Sequence, residues 1–74
     1  MWVEIQDRLF NLNSFSYFYI NQERALYHLV GKRVGIKRLD IYEEDDGFDV
    51  VAIGTEQEIK DLYNKLRGIL IIKL

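Results

Sequence analysis

The sequence predicts an α+β domain: an antiparallel sheet of five to seven short strands, rolled or partly closed, with one C-terminal helix at about 56–67 and a short terminal strand. Three observations lead there. Short runs of β-branched and aromatic residues, separated by polar or glycine-containing breaks, fill the chain up to Gly54. A single stripe at helical spacing follows a capping sequence at Thr55. Beyond Gly68 the chain reads Ile-Leu-Ile-Ile-Lys-Leu, apolar on both parities, which suits a strand.

Trp2, Val3 and Ile5 mark the first strand, and Asp7-Arg8 is a tight turn into Leu9-Phe10-Asn11-Leu12. Asn13-Ser14 breaks that run, as a helical turn, because short polar side chains compete for nearby backbone groups. Residues 15–20 read Phe-Ser-Tyr-Phe-Tyr-Ile, with aromatics on both parities. A strand with one wet face alternates, so this pattern predicts that both faces are covered in part, as in a barrel, a roll or an oligomer interface. After a polar connection at 21–24, β character resumes at Ala25 and runs to Gly31-Lys32. A further strand runs from Ile36 to Ile41, bent near Gly35.

Glu44-Asp45-Asp46-Gly47 carries the strongest turn signal, and it predicts a hairpin between that strand and residues 48–53. A two-residue loop sets Ile41 on the face of Val50. A three-residue loop with Gly47 as a bulge sets it with Val51 and Ile53, the larger apolar pair. In the helix, Thr55 and Glu58 form a capping box, and Ile59, Leu62, Tyr63 and Leu66 make one stripe. Glu56, Glu58 and Asp61 stand near its start and Lys65 and Arg67 near its end, the order its dipole favours. Gly68 is the expected stop.

A chain of 74 residues makes one domain, and at this length folding buries only about 60% of the unfolded surface. It contains no cysteine, so disulfides and thiolate metal sites are excluded, and oligomerisation is the remaining way to add buried surface. Its 49% hydrophobic content excludes a disordered chain, while no apolar run has the length of a membrane span. Glu4, Asp7 and Arg8 interrupt any signal peptide, and the expected location is cytoplasmic.

The net charge of -2 conceals a divided chain. Arg24, Lys32, Arg33, Lys37 and Arg38 fall in a segment without acids, whereas residues 39–61 hold nine acids against Lys60. The basic segment, with Tyr27 and the preceding tyrosines, is the candidate nucleic-acid contact. An acidic domain is a poor vehicle for that job, and internal pairing of these cations with the acidic hairpin explains them as well. Asp40, Glu43, Glu44, Asp45, Asp46 and Asp49 could hold a hard cation or mimic phosphate in a basic groove of another protein. The alternating acids of a calcium loop are absent, and a solvated hairpin tip accounts for the cluster.

His28 is the only histidine, read as a half-buried strand residue, and Ser14 and Ser16 are the only serines. They assemble no nucleophile and base set, so no enzyme, cofactor or metal site is assigned.

At Leu9-Phe10-Asn11-Leu12-Asn13-Ser14-Phe15 the chain resembles a group of small uncharacterised bacterial and phage proteins. These open with two short strands, an apolar-Asn-apolar step and a polar pair, and finish with a helix introduced by Thr or Ser followed by acids, as Thr55-Glu56-Gln57-Glu58 does here. Residues 69–74 depart from the group. The strand meander closed by a helix is also similar to the pleckstrin-homology-like roll, in fold only. Neither resemblance implies a catalytic residue.

The expected role is a small protein-protein interaction module that self-associates, a homodimer being the favoured form. Its candidate interface is Phe15, Tyr17, Phe18 and Tyr19 with Ile69, Leu70, Ile71 and Ile72. Whether 69–74 pairs within the chain or with a neighbour is left open by the pattern. The nucleic-acid module and the acidic phosphate mimic are the alternatives.

Overall fold

The computed structural model describes residues 1–34, 36–38, 41–43 and 47–70, with 36–38 and 41–43 described by their backbone. Strands β1 (Trp2–Ile5) and β2 (Arg8–Asn11) form an antiparallel hairpin, followed by a 3-10 turn at Leu12–Ser14. The Asn11 side chain caps that turn by accepting from the Asn13 backbone N-H at 3.1 Å, the local competition that short polar residues offer. Next come β3 (Phe15–Glu23), β4 (Leu26–Arg33), β5 (Ile36–Arg38), β6 (Ile41–Glu43), β7 (Phe48–Gly54) and the helix α1 (Glu56–Leu70). The fold is α+β with antiparallel sheets and one C-terminal helix.

Three expectations are corrected. The strands do not share one rolled sheet: β1-β2 and β5-β6 are separate pairs, β3-β4-β7 is an open three-stranded sheet, and none of them closes. Ile41 does not pair across the acidic turn; β6 pairs with β5, Arg38 opposite Ile41, while β7 pairs with the central strand β4. The acidic turn thus joins strands of different sheets, and its loop, residues 44–46, lies outside the described residues. Gly68 does not stop the helix, which runs to Leu70 and takes Ile69 and Leu70 out of the expected terminal strand. No described glycine has a positive φ, so the left-handed stop is not formed. Residues 71–74, and with them the rest of that strand, lie outside the described residues.

The first turn falls one residue earlier than expected, at Gln6 and Asp7, with φ of 49° and 64°. Two left-handed residues between paired strands match the twist of the hairpin they join.

Two bulges set which side chains reach the core. Phe15 pairs with Arg33 but Tyr17 with Lys32, so Ser16 is an extra residue, and beyond it Phe18 and Ile20 share the face of Phe15. On β7, Leu29 pairs with Ala52 and Val30 with Val50, so Val51 is extra, and the adjacent Val51 and Ala52 are both buried. The change of phase brings Phe15 onto the face of Phe18, while Tyr17 and Tyr19 stand on the other, so β3 carries aromatics on both faces.

Helix α1 lies on the face that carries Phe18, Ile20, Leu29 and Ala52, and inserts Ile59 and Leu66. Ile5 and Leu12 close the same core from the β1-β2 side. The capping box forms as read: the Glu58 N-H donates to Thr55 Oγ1 at 3.3 Å and the Thr55 N-H to Glu58 Oε1 at 3.4 Å.

Candidate functional site

Three surfaces stand out, and the first is the sheet face that α1 leaves uncovered. Cross-strand register builds it in rows: Tyr17, Lys32 and Phe48; then Tyr19, Val30 and Val50; then Asn21, His28 and Ile53. Tyr17 and Tyr19 have ring centroids 6.2 Å apart, and Phe48 stands edge-on to them at 6.5 and 6.1 Å. Such tilted pairs suit the ring quadrupole. The Lys32 Nζ lies 5.3 Å from the Phe48 centroid. Tyr17, Tyr19, Phe48, Val50 and Ile53 are all exposed, Tyr17 and Phe48 at 49% each, a contiguous apolar patch of the kind that marks an interaction surface. His28 is a partly buried strand residue, as read from the sequence, with Nδ1 3.8 Å from the Glu23 carboxylate.

The second surface is a groove of about 560 Å3 between β3 and the last turns of α1. Leu12, Phe15, Phe18, Tyr63, Leu66 and Leu70 line it, with Ser16, Tyr17 and Arg67 among its polar contributors. The groove brings Phe15, Tyr17 and Phe18 together with Leu70, joining the two halves of the candidate interface. Tyr17, although it borders the groove, and Tyr19 both face the opposite side of the sheet, Ile69 is exposed on α1, and Ile71 and Ile72 lie outside the described residues.

The third surface is the pair of sheet edges. On the side of β7 turned away from β4, the Gln6 amide clasps one residue: Nε2 donates to the Ile53 carbonyl at 2.9 Å, and the Ile53 N-H donates to Oε1 at 3.1 Å. Arg8 Nη2 donates to the carbonyls of Val50 and Val51 at 2.7 and 2.9 Å. Two side chains of the first hairpin thus satisfy the β7 edge, and the left-handed Gln6 is held by the bonds its amide makes. Sequence reasoning missed both residues, which act over more than 40 positions and carry no local motif.

Among the described side chains of the basic segment, Lys32 stands on the uncovered sheet face and Arg33 on the other. Arg33 Nη1 pairs with Asp49 Oδ1 at 2.6 Å, and Arg24 sits exposed in the β3-β4 turn with φ 57°. Lys37 and Arg38 are described only as backbone of β5. Of the acidic group, Asp49 is spent on Arg33, and the side chains of residues 40–46 lie outside the described residues. Among the described residues no group of carboxylates and histidines could hold a metal ion.

One polar cluster has shifted ionisation. Glu56 is held below the usual carboxylate range by the hydrogen bond and charge of Lys60, four residues on, and by a hydrogen bond from Tyr27. Desolvation and the Glu56 charge push the Tyr27 hydroxyl up, and Glu56 raises Lys60. This cluster ties the first turns of α1 to β4 at the surface. A depressed carboxyl contributes stability above its unfolded value and loses it as pH falls through the folded one. Acid should therefore erode a small contribution in the carboxylate range, and Glu56→Gln should flatten that limb of a plot of urea midpoint against pH. An unchanged limb would show that the cluster does not stabilise the fold.

In comparisons with known proteins, no family model, curated protein or solved structure matches the chain. The likeness to small bacterial and phage proteins and to the pleckstrin-homology-like roll thus gains no named relative. Among the described residues no helix is long and apolar enough to cross a membrane.

Proposed function

We propose that the protein is a small protein-protein interaction module that self-associates. The observation that carries this reading is the uncovered sheet face, where Tyr17, Tyr19, Phe48, Val50 and Ile53 are exposed side by side. Aromatic residues at the centre of such a patch are the usual anchors of protein interfaces. The groove beside Leu70 extends the apolar surface around β3 onto the opposite face. In light scattering the intact chain should exceed the 8.8 kDa monomer mass as concentration rises into the high micromolar range. A monomer throughout would overturn the reading.

A nucleic-acid module is the second reading, favoured by the aromatic rings beside Lys32, since rings on a sheet surface stack bases. Two features weigh against it: the net charge of -2, and the Arg33 pair with Asp49. Anisotropy with a labelled single strand should show only weak association that salt abolishes. Submicromolar binding at physiological salt, lost in a Lys32→Ala, Arg33→Ala variant, would replace the first reading with this one.

A further inference from the structure

The two edges of the three-stranded sheet are treated differently. The β7 edge is closed by Gln6 and Arg8, whereas the outer edge of β3 meets no other strand among the described residues. Its nine residues, Phe15–Glu23, would span about 30 Å as a strand. The edge also lacks the usual guards against pairing: β3 holds no lysine or arginine, the chain holds no proline, and its one charge, Glu23, stands at its end. The single irregularity, at Ser16, lies near the other end.

We infer that β3 pairs antiparallel with β3 of a second copy about a two-fold axis at Tyr19, joining two three-stranded sheets into one of six strands. This rests on the self-association proposed above and gives it a site. A two-fold perpendicular to the sheet keeps every residue on its own face, so one residue must oppose its own counterpart. Centring on Tyr19, the midpoint of β3, sets Phe18 opposite Ile20 of the second copy on the helix face. On the other face it sets Tyr19 against Tyr19, beside the Tyr17 and Phe48 rings of each copy. Tyr17 then falls opposite Asn21, the match ends at the Ser16 bulge, and no like charges meet. Centring on Ile20 instead would set Tyr17 against Glu23 and Phe18 against Gln22, a poorer match of apolar with apolar. Backbone pairing supplies affinity, and the side-chain match selects a second copy over an unrelated strand.

The chain has no cysteine, so a single introduced thiol reports its own neighbour. Opposed residues of an antiparallel pair approach closely enough for a disulfide. Mild oxidation of Tyr19→Cys should convert most of the protein to a covalent dimer with an unchanged circular dichroism spectrum. Asn64→Cys, on the exposed side of α1, should give only a trace. In the unmodified chain, β3 amides that exchange freely when dilute should become protected as concentration rises, which keeps the test decisive if Tyr19→Cys does not fold. Self-association by light scattering without protection of β3 amides or cross-linking through Tyr19→Cys would overturn the edge pairing and leave the interaction module standing. A chain monomeric at every concentration would remove both.

Discussion

Replacing Ile59 with alanine is expected to lower the free energy of unfolding by about 2 to 5 kcal/mol, read as the shift of a denaturant titration at constant slope. Ile59 is fully buried, and with Leu29 and Val51 it is one of the three largest side chains in that state. It sits in the second turn of α1, where the helix meets β4 and β7, so its loss leaves a cavity between layers that cannot collapse without moving the helix. A domain of 74 residues has on the order of 5 kcal/mol of stability, and the variant should therefore be unfolded or nearly so at room temperature. Leu62→Ala, on a residue only partly buried, should cost less, and Lys60→Ala, at the exposed Glu56 pair, should leave the denaturation midpoint almost unchanged. Equal small losses at Ile59 and Lys60 would mean that α1 does not pack through this stripe.

Gly31→Ala is expected to destabilise by about 1 to 3 kcal/mol, the cost of forcing one methyl into a packed core. The sign is what makes the test informative. Within a strand, alanine is favoured over glycine by about 0.5 to 1 kcal/mol, because glycine loses more freedom on folding. At Gly31 a Cβ would lie 2.6 Å from Phe15 Cδ1 and 2.9 Å from Phe18 Cε1, closer than carbon atoms can approach. These rings have no easy retreat: their centroids are 5.0 Å apart, and Phe15 also packs on Phe10 at 6.2 Å. Gly31 is thus the floor on which the rings of β3 lie, and the bulge at Ser16 is what puts both rings above it. If this is right, Phe15→Leu in the Gly31→Ala background should cost less than Phe15→Leu alone, a coupling measurable in a double-mutant cycle. A stabilising Gly31→Ala would show that the rings move aside freely.

The parts of the fold legible in the sequence were those whose causes lie within a few residues. Thr55 and Glu58 announce the start of α1 because each bonds the other's backbone across three positions. Asn13-Ser14 announces the 3-10 turn as a break, although the side chain that caps it is Asn11, which the sequence placed in the strand before. The end of α1 was misread because Gly68 was weighed by itself. A mid-helix glycine costs only about 1 kcal/mol, and Leu70, four residues beyond Leu66, continues the apolar stripe into the groove. The turn signal at 44–47, of which 44–46 lie outside the described residues, did not identify the partner of either flanking strand. Strand pairing is decided by which apolar faces a whole sheet can cover, and β7 went to β4, where Leu29 meets Ala52 under the helix.

Of the candidate interface, the aromatic content of β3 was visible as composition, but its division between faces was not. A bulge needs a partner strand one residue shorter over the same span, and that is a property of two segments. The same holds for the guarded edge. Gln6 and Arg8 are ordinary polar residues until the β1-β2 hairpin lies along β7, and then they decide which side of the sheet is closed. By itself the sequence determined where the helix begins, that the chain breaks near Asp7 and Asn13, and that the domain is rich in aromatics and held by no disulfide, because these follow from local bonding and composition. Only the tertiary structure decided which strands pair, which face α1 covers and which edge the first hairpin closes, because each depends on burying surfaces that lie far apart along the chain.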